Sequence, residues 1–400
     1  MYDLFSERIK DVPKSFIREI LKVAINPEVI SFAGGLPNKD LFPVSKIQQA
    51  ANIQFDDSGK DILQYSSTEG YLPLREYIAA RYKGKKGLDI SAKNILITSG
   101  SQQALDLLGK VFIDEGDEVI IEEPGYLGAI QAFSVYQPVF RTVQLNEEGL
   151  NLDQLRRASE DSEAKLIYLV PNFQNPSGVS SSEDNRMETA KLLKNENIYL
   201  IEDDPYGELR YVGENIISFK KLLPEKTILL GSFSKVVAPG FRIGWIVAPD
   251  DIMDKLIIAK QATDLHTNYI GQRIIHQFLT MNMLDDHVEK IKNKYNLQRE
   301  KMLSSIEKYL PSEVSSTKPE GGMFLWVTLP EELKAKDLFE EALKRKVAFV
   351  PGDPFYVGKK DINTLRLNFS CVNEDRIEEG IKRLRMAIEE LMGSRKRSEI

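Results

Sequence analysis

Seven short apolar runs, rich in β-branched residues, alternate with amphipathic segments through the middle of this chain. They are NILITSG, DEVIIEEP, PVFRTVQL, KLIYLVPN, IYLIEDDP, KTILLGSFS and FRIGWIVAP, spread from Asn94 to Pro249. Between most of them lie SQQALDLLGKVFID, NLDQLRRASE and SSEDNRMETAKLLKNEN, whose apolar residues recur at helical spacing. Strand and helix signals in alternation predict βαβ units: an α/β fold around a mostly parallel sheet covered on both faces. The connections between the last three runs are short, so one of those strands is predicted to run antiparallel.

After Pro249 the texture changes. Residues 251–310 read as helical and end in HVEKIKNKYNLQREKMLSSIEKYL, a charged segment long enough to bridge two domains. Strand-like FLWVTLP, helix-like AKDLFEEALKRK, then VAFVPG, TLRLNFS and a last helix from about Asn373 to Met392 make a smaller α+β unit. The tail GSRKRSEI reads as a frayed, solvated end. The division expected is an N-terminal arm and helix over 1–45, a large domain over 46–285 and a small C-terminal domain over 286–400.

The length of 400 residues exceeds one comfortable hydrophobic core and fits two domains. A net charge of −7 gives no electrostatic reason to expect nucleic acid or an anionic membrane as partner. The single cysteine, Cys371, excludes an internal disulfide framework and fits a reducing compartment. MYDLFSERIKDVPKSF carries charges where a signal peptide needs an apolar core, so a cytoplasmic location is expected. The sequence has no GxxxxGK[ST], no GxGxxG after a strand, no HExxH and no CxxC. His266, His276 and His287 lack metal-ligand spacing and read as packing or surface residues.

In an open α/β sheet, ligands sit beyond the carboxyl ends of the strands. ILITSG runs into Ser101-Gln102 and opens a helix, whose free N–H groups and positive dipole end suit a phosphate. IIEEP precedes Gly125-Tyr126, a ring able to lie on a flat ligand, and LIYLVP precedes NFQNPSG with Asn175. IYLIEDDP carries Asp203 and, three residues on, Tyr206. ILLGSFS delivers Ser232, Ser234 and Lys235, with Arg242 beyond a Pro-Gly turn. Together these supply a phosphate cradle, a stacking ring, hydrogen-bond donors, a carboxylate and an amine.

The ordered set FAGGLP, TSGSQQALDL, EEPGY, PNFQNPSG, EDDPYGELRY, SFSKVVAPGFRIGW, PEGGMFLW and LRLNFS resembles a fold-type-I class I/II aminotransferase dependent on pyridoxal 5′-phosphate (PLP). Within that group it is similar to the branch of 2-aminoadipate, kynurenine and aromatic aminotransferases. The resemblance implies that Lys235 is the lysine that binds the cofactor aldehyde and then carries a proton at the substrate Cα. Asp203, selected over Asp204 by its spacing to Tyr206, would face the pyridine nitrogen and keep it protonated. Tyr206 and Asn175 would hydrogen-bond the phenolic oxygen, and Tyr126 would stack on the ring. Ser101, Gln102, Ser232 and Arg242 would hold the phosphate, with Ser234 as an additional contact. Tyr65, in LQYSSTEG, would reach the phosphate of a neighbouring subunit, which implies a homodimer with shared sites.

Arg366 matches the arginine that clamps the substrate α-carboxylate, and Gly34 and Gly35 would bring backbone close to the substrate. Arg18, in KSFIREILK, either meets a second substrate carboxylate or is a solvated residue of an amphipathic helix. The implied reaction moves an amino group between an L-amino acid and a 2-oxo acid such as 2-oxoglutarate by a ping-pong mechanism. Two other readings stay open at this stage. One is a β-elimination lyase acting on a cysteine-type substrate. The other is the sensor domain of an aminotransferase-like transcription regulator, although only about thirty residues precede SFAGGLP.

Overall fold

The computed structural model describes residues 4–10, 12, 26–359 and 361–398, the side chains of 394–398 excepted. Arg18 therefore lies outside the described residues. Strand β1 (Ile30–Ser31) comes first and belongs to the C-terminal part of the molecule, as set out below. The central sheet follows: β2 (Ile95–Thr98), β3 (Glu118–Glu123), β4 (Val139–Asn146), β5 (Gly149–Leu150), β6 (Leu166–Leu169), β7 (Tyr199–Asp203), β8 (Thr227–Ser232) and β9 (Gly244–Val247). Their order across the sheet is β2-β9-β8-β7-β6-β3-β4-β5. All seven apolar runs are strands of this sheet, and the two-residue β5 adds an edge that its length hides from any pattern.

β3, β4, β6, β7 and β8 are parallel to their strand neighbours in the middle of the sheet, while β9 runs antiparallel to both β2 and β8. Strand alternation sorts side chains to two faces. Leu166, Tyr168 and Ile201 join the larger core cluster with Leu105, Leu108 and Phe133 of the helices Ser101–Phe112 and Leu127–Ser134. Ile167, Leu169 and Leu200 face the other way, against Leu155 and Leu193 of the helices Leu152–Glu160 and Glu183–Leu193. Covered on both faces, the inner strands read as continuous apolar runs; β4, near the edge, leaves several of its residues exposed.

Beyond Pro249 the expected helical stretch consists of Asp250–Thr263, Tyr269–Thr280 and Leu284–Tyr309. At 26 residues the last of these is about 39 Å long. It packs along the final helix, Glu374–Ser398, where Lys294 Nζ lies 2.9 Å from Glu374 and Lys301 pairs with Glu378. That final helix continues to Ser398 instead of ending near Met392, so GSRKRS extends it and the expected fraying is corrected. No helix among the described residues is long and apolar enough to cross a membrane.

The remaining strands are β10 (Ser315–Ser316), β11 (Phe324–Thr328), β12 (Val347–Ala348), β13 (Val350–Pro351) and β14 (Thr364–Asn368). Four of them form an antiparallel sheet in the order β10-β11-β14-β13. β12 pairs in parallel with β1, and the Phe32 carbonyl accepts the Asn368 amide at 2.8 Å. The N-terminal segment is thereby woven into the C-terminal unit, and Gly34-Gly35 is carried to the rim of the central sheet.

Candidate active site

A cavity of about 420 Å³ opens at the carboxyl ends of the central strands. Ser101, Gln102, Tyr126, Asn175, Asp203, Tyr206, Ser232, Ser234, Lys235, Arg242, Arg366 and Gly35 all line it, together with Val170, Pro205 and Pro239. Antiparallel β9 explains Arg242. Its first residue, Gly244, pairs with Thr98 and Ser232, the last residues of β2 and β8. A residue just before β9 therefore lands where its neighbours end.

The basic corner is built from close backbone approaches. Gly100 caps the Ser101–Phe112 helix at φ 81° with no side-chain cap, so the first N–H groups of that helix point outward. A Cβ on Gly100 would lie 2.5 Å from Arg242 Nη2, so only glycine lets the guanidinium settle there. Arg242 itself is left-handed at φ 55° and donates to the Ser99 carbonyl at 3.2 Å. Ser232 Oγ and Ser234 Oγ are 2.9 Å apart, while Ser101 Oγ is buried without a protein partner. Gln102 is turned aside in this state and donates to the Gly128 carbonyl at 2.9 Å.

Lys235 donates to the Gly35 carbonyl at 2.8 Å, and its Nζ lies 5.9 Å from the centre of the Tyr206 ring. Burial pushes its ammonium down to about 8, and the Arg366 and Arg242 cations push in the same direction. On the next peptide, the Leu36 carbonyl accepts from Cys371 Sγ at 2.6 Å. With Ser370 Oγ donating to the same Leu36 carbonyl at 3.0 Å, three side chains from distant parts of the chain fasten the Gly35-Leu36 segment.

Asp203 and Asp204, adjacent in sequence, point opposite ways as strand alternation requires. Asp204 pairs with Lys86 and accepts from Asn172 Nδ2 at 2.8 Å, away from the cavity. Asp203 faces the cavity; its Oδ2 accepts from the Tyr168 hydroxyl at 2.7 Å and its Oδ1 is buried and unpartnered. Burial raises the Asp203 carboxyl to about 7; the Tyr168 hydrogen bond opposes that rise and the Asp204 charge adds to it.

Arg366, on β14, is buried at 2% exposure, too deep for a surface arginine paired across a sheet. It donates to Asn175 Oδ1 and to the Ala33 carbonyl, each at 2.8 Å, and its guanidinium stacks 4.3 Å from the Phe324 ring centre. Burial lowers it to about 10, a range in which it is still a cation at neutral pH. Tyr206 lines the same cavity as Asn175, and burial raises the Tyr206 phenol.

The loop carrying Asn175 is stapled by Gln174. That side chain donates to Pro124 O at 2.7 Å and to Glu122 Oε2 at 3.2 Å, and accepts from the Ser177 amide at 2.8 Å. Glu122 is itself buried, which raises its carboxyl to about 8. Tyr168, Gln174 and Glu122 were not singled out from the sequence. For Tyr168 a signal existed: KLIYLVPN neighbours IYLIEDDP in the sheet, and alternation sends Tyr168 and Asp203 to one face.

Tyr65 does not line the cavity. It is 79% exposed, with its ring edge-on to His266 at 5.9 Å. His276 packs against Tyr71 at 5.3 Å and His287 against Phe278 at 6.4 Å.

Three buried polar atoms without a protein partner, Ser101 Oγ, Asp203 Oδ1 and Arg366 Nε, belong to residues around this one cavity. Buried polar groups are rarely left unmatched, so they mark where ligand groups bind. A phosphate fits the Ser101–Arg242 corner, a protonated ring nitrogen fits Asp203, an aldehyde fits Lys235 and a carboxylate fits Arg366. That donor set suits PLP and an amino acid.

Comparison with known proteins agrees. An aromatic-amino-acid aminotransferase from Thermococcus litoralis is 44% identical over 97% of this chain and 94% of its own. A 2-aminoadipate transaminase from Thermus thermophilus is 40% identical over 98% of both chains. The crystal structure of Pyrococcus horikoshii kynurenine aminotransferase, in complex with PMP, KYN and KYA, superposes with a TM-score of 0.93. It shares 43% identity and covers 97% of each chain. Residues 27–384 match the family model described as aminotransferase class I and II, and with the fold and this cavity in accord, the chain belongs to that family.

Proposed function

We propose that this protein is a PLP-dependent aminotransferase that moves an amino group between an L-amino acid and a 2-oxo acid, with 2-oxoglutarate and glutamate as one pair. The observation that carries the reading is the meeting of Lys235, Asp203, Arg242 and Arg366 in one cavity. Ser101, Gln102, Ser232, Ser234 and Arg242 would hold the cofactor phosphate. Tyr126 would lie along its ring, Asp203 would face the ring nitrogen, and Tyr206 and Asn175 the phenolic oxygen. Bound there, PLP supplies an aldehyde for the amino group and a ring that accepts the electrons released at Cα.

The chain's own residues do the rest. Arg366 pairs with the substrate α-carboxylate and sets which bond at Cα stands over the cavity floor. Lys235, low enough in pKa to be part neutral at physiological pH, takes the Cα proton and returns it to the accepting carbon. The Gly35 backbone closes the substrate side, where a Cβ would press to 3.3 Å from the Phe324 ring. Relatives at 40% and 44% identity named for aminoadipate and aromatic substrates favour donors of those kinds.

The exposed Tyr65 supports a homodimer in which it completes the phosphate site of the second copy. The single cysteine suits a cytoplasmic home. The proposed division is an arm over 1–45, a large domain over 46–285 holding the eight-stranded sheet and a small domain over 286–400 holding the four-stranded one; the pairing of β1 with β12 favours grouping the arm with the small domain.

The deciding test is the visible absorption of the purified protein with PLP. The yellow band is expected to bleach with L-glutamate and to return with 2-oxoglutarate. Release of pyruvate and ammonia from a cysteine-type substrate, without consumption of an oxo acid, would assign a lyase instead. A further expectation concerns pH. The ammonium of Lys235 is shifted from 10.5 to about 8, so the neutral amine appears at lower pH than in an ordinary lysine. The rate at which the apoprotein develops the yellow band therefore rises with pH and levels off above about 8; a rise continuing through the ordinary lysine range would contradict the buried amine.

A further inference from the structure

Asp203 is a carboxylate in unfavourable company. It is 1% exposed, and the charged side chain that raises it is another acid, Asp204 beside it. The phenols of Tyr126, Tyr168 and Tyr206 lie around it, and the cations Lys235, Arg242 and Arg366 line the same cavity without hydrogen-bonding to it. Lys86 is spent on Asp204, on the far side. Among the described residues one donor reaches the Asp203 side chain: the Tyr168 hydroxyl, 2.7 Å from Oδ2.

The register explains the reach. Tyr168 on β6 is paired with Ile201 on β7, and Asp203 lies two residues further along the same face. Diagonal neighbours of that kind are within range of a long aromatic side chain. Tyr168 is fully buried, its ring edge-on to Phe133 at 6.1 Å, and its hydroxyl has no other acceptor among the described residues. An ionised carboxylate can only accept and a phenol can donate once, so this bond defines which oxygen is satisfied. Oδ2 is taken and Oδ1 is left bare towards the cavity.

We propose that Tyr168 is a positioning residue for the reaction: its hydroxyl fixes the Asp203 carboxylate with Oδ1 towards the cofactor's ring nitrogen and keeps that carboxylate ionised. The inference rests on the aminotransferase reading only for the identity of the cation that Oδ1 meets. The hydrogen bond acts on Asp203 whether or not the cofactor is bound. Without it, burial and the Asp204 charge favour the neutral acid, which cannot hold a ring nitrogen in its protonated form.

Tyr168→Phe removes the hydroxyl and keeps the ring. In the apoprotein labelled with ¹³C-aspartate, the Asp203 carboxyl titration is expected to move up by about one pH unit, the shift one hydrogen bond to a charge supports. In the holoenzyme kcat is expected to fall about 10- to 100-fold for the same reason. The KM for 2-oxoglutarate changes little and the acid limb of the kcat profile moves to higher pH. Phe133→Leu loosens the packing of the same ring and is expected to leave both the titration and the profile in place. A fluorinated tyrosine at 168, a stronger donor of the same shape, shifts the titration down.

An unmoved Asp203 titration in Tyr168→Phe overturns the proposal, as does an equal shift in Phe133→Leu. If Tyr168→Phe does not fold, the fluorinated variant decides by the sign of its shift. Failure of the wild-type holoenzyme to cycle between glutamate and 2-oxoglutarate would overturn the functional reading alone, since the apoprotein titration needs no turnover.

Discussion

Lys235→Ala is expected to lower turnover by about 10⁴-fold, the upper end of what a single acid–base group contributes. Loss of its covalent role with the cofactor aldehyde acts in the same direction. Cofactor retention should survive. The helix N-terminus at Ser101, the Ser232–Ser234 pair and Arg242 form a corner of the cavity that does not depend on the amine. Single-turnover absorption with L-glutamate separates the two: PLP stays with the protein and the slow step is proton movement at Cα. Added methylamine would restore part of the rate by supplying a diffusible base. Near-normal turnover in Lys235→Ala would remove the lysine from the chemistry altogether.

Arg366→Leu is expected to lower kcat/KM by about 10³-fold, in the range for losing a buried, hydrogen-bonded charge. The loss should be similar for glutamate, 2-aminoadipate, aromatic amino acids and alanine, because the α-carboxylate is common to all. A loss confined to dicarboxylic donors would move Arg366 to side-chain recognition. Arg366→Lys should be nearly as damaging, since one ammonium cannot pair with a carboxylate while also replacing the bonds to Asn175 and the Ala33 carbonyl. Leucine also leaves Asn175 Oδ1 and that carbonyl unpaired, so thermal unfolding measured alongside separates a folding defect from a binding defect.

The central sheet was readable because its inner strands are buried on both faces, which leaves a continuous apolar signature in the sequence. β5 escaped because two residues carry no period. The extension of the last helix to Ser398 escaped because its polar, basic sequence reads like a solvated tail. Most of the cavity-lining residues lie within a few positions of a strand end, so the motifs and the topological rule converged on them. Asp203 was separable from Asp204 by its spacing to Tyr206, and strand alternation is the physical reason that the two neighbouring acids point apart.

What stayed hidden depends on register. Tyr168 matters because it lies diagonally from Asp203 across β6 and β7, and Gln174 because it reaches back to Glu122 and Pro124. Neither relation is fixed until strands are paired. The burial of Arg366 was hidden in the same way, since it rests on carbonyl and ring partners from the segments around Ala33 and Phe324.

The pairing of β1 with β12, and of Phe32 with Asn368, has a consequence for synthesis. On the ribosome, the central sheet, Lys235 and the phosphate corner are complete long before β14 emerges. The segment bearing Gly35 lacks its β-partner until Val347–Ala348 emerge, and Arg366 follows later still. A nascent chain can therefore gather the cofactor's anchoring groups early, yet it holds an open half-site until about nine-tenths of the polypeptide has been made. Messages cut short before residue 364 would yield a product that lacks Arg366 and the Asn368 partner of Phe32.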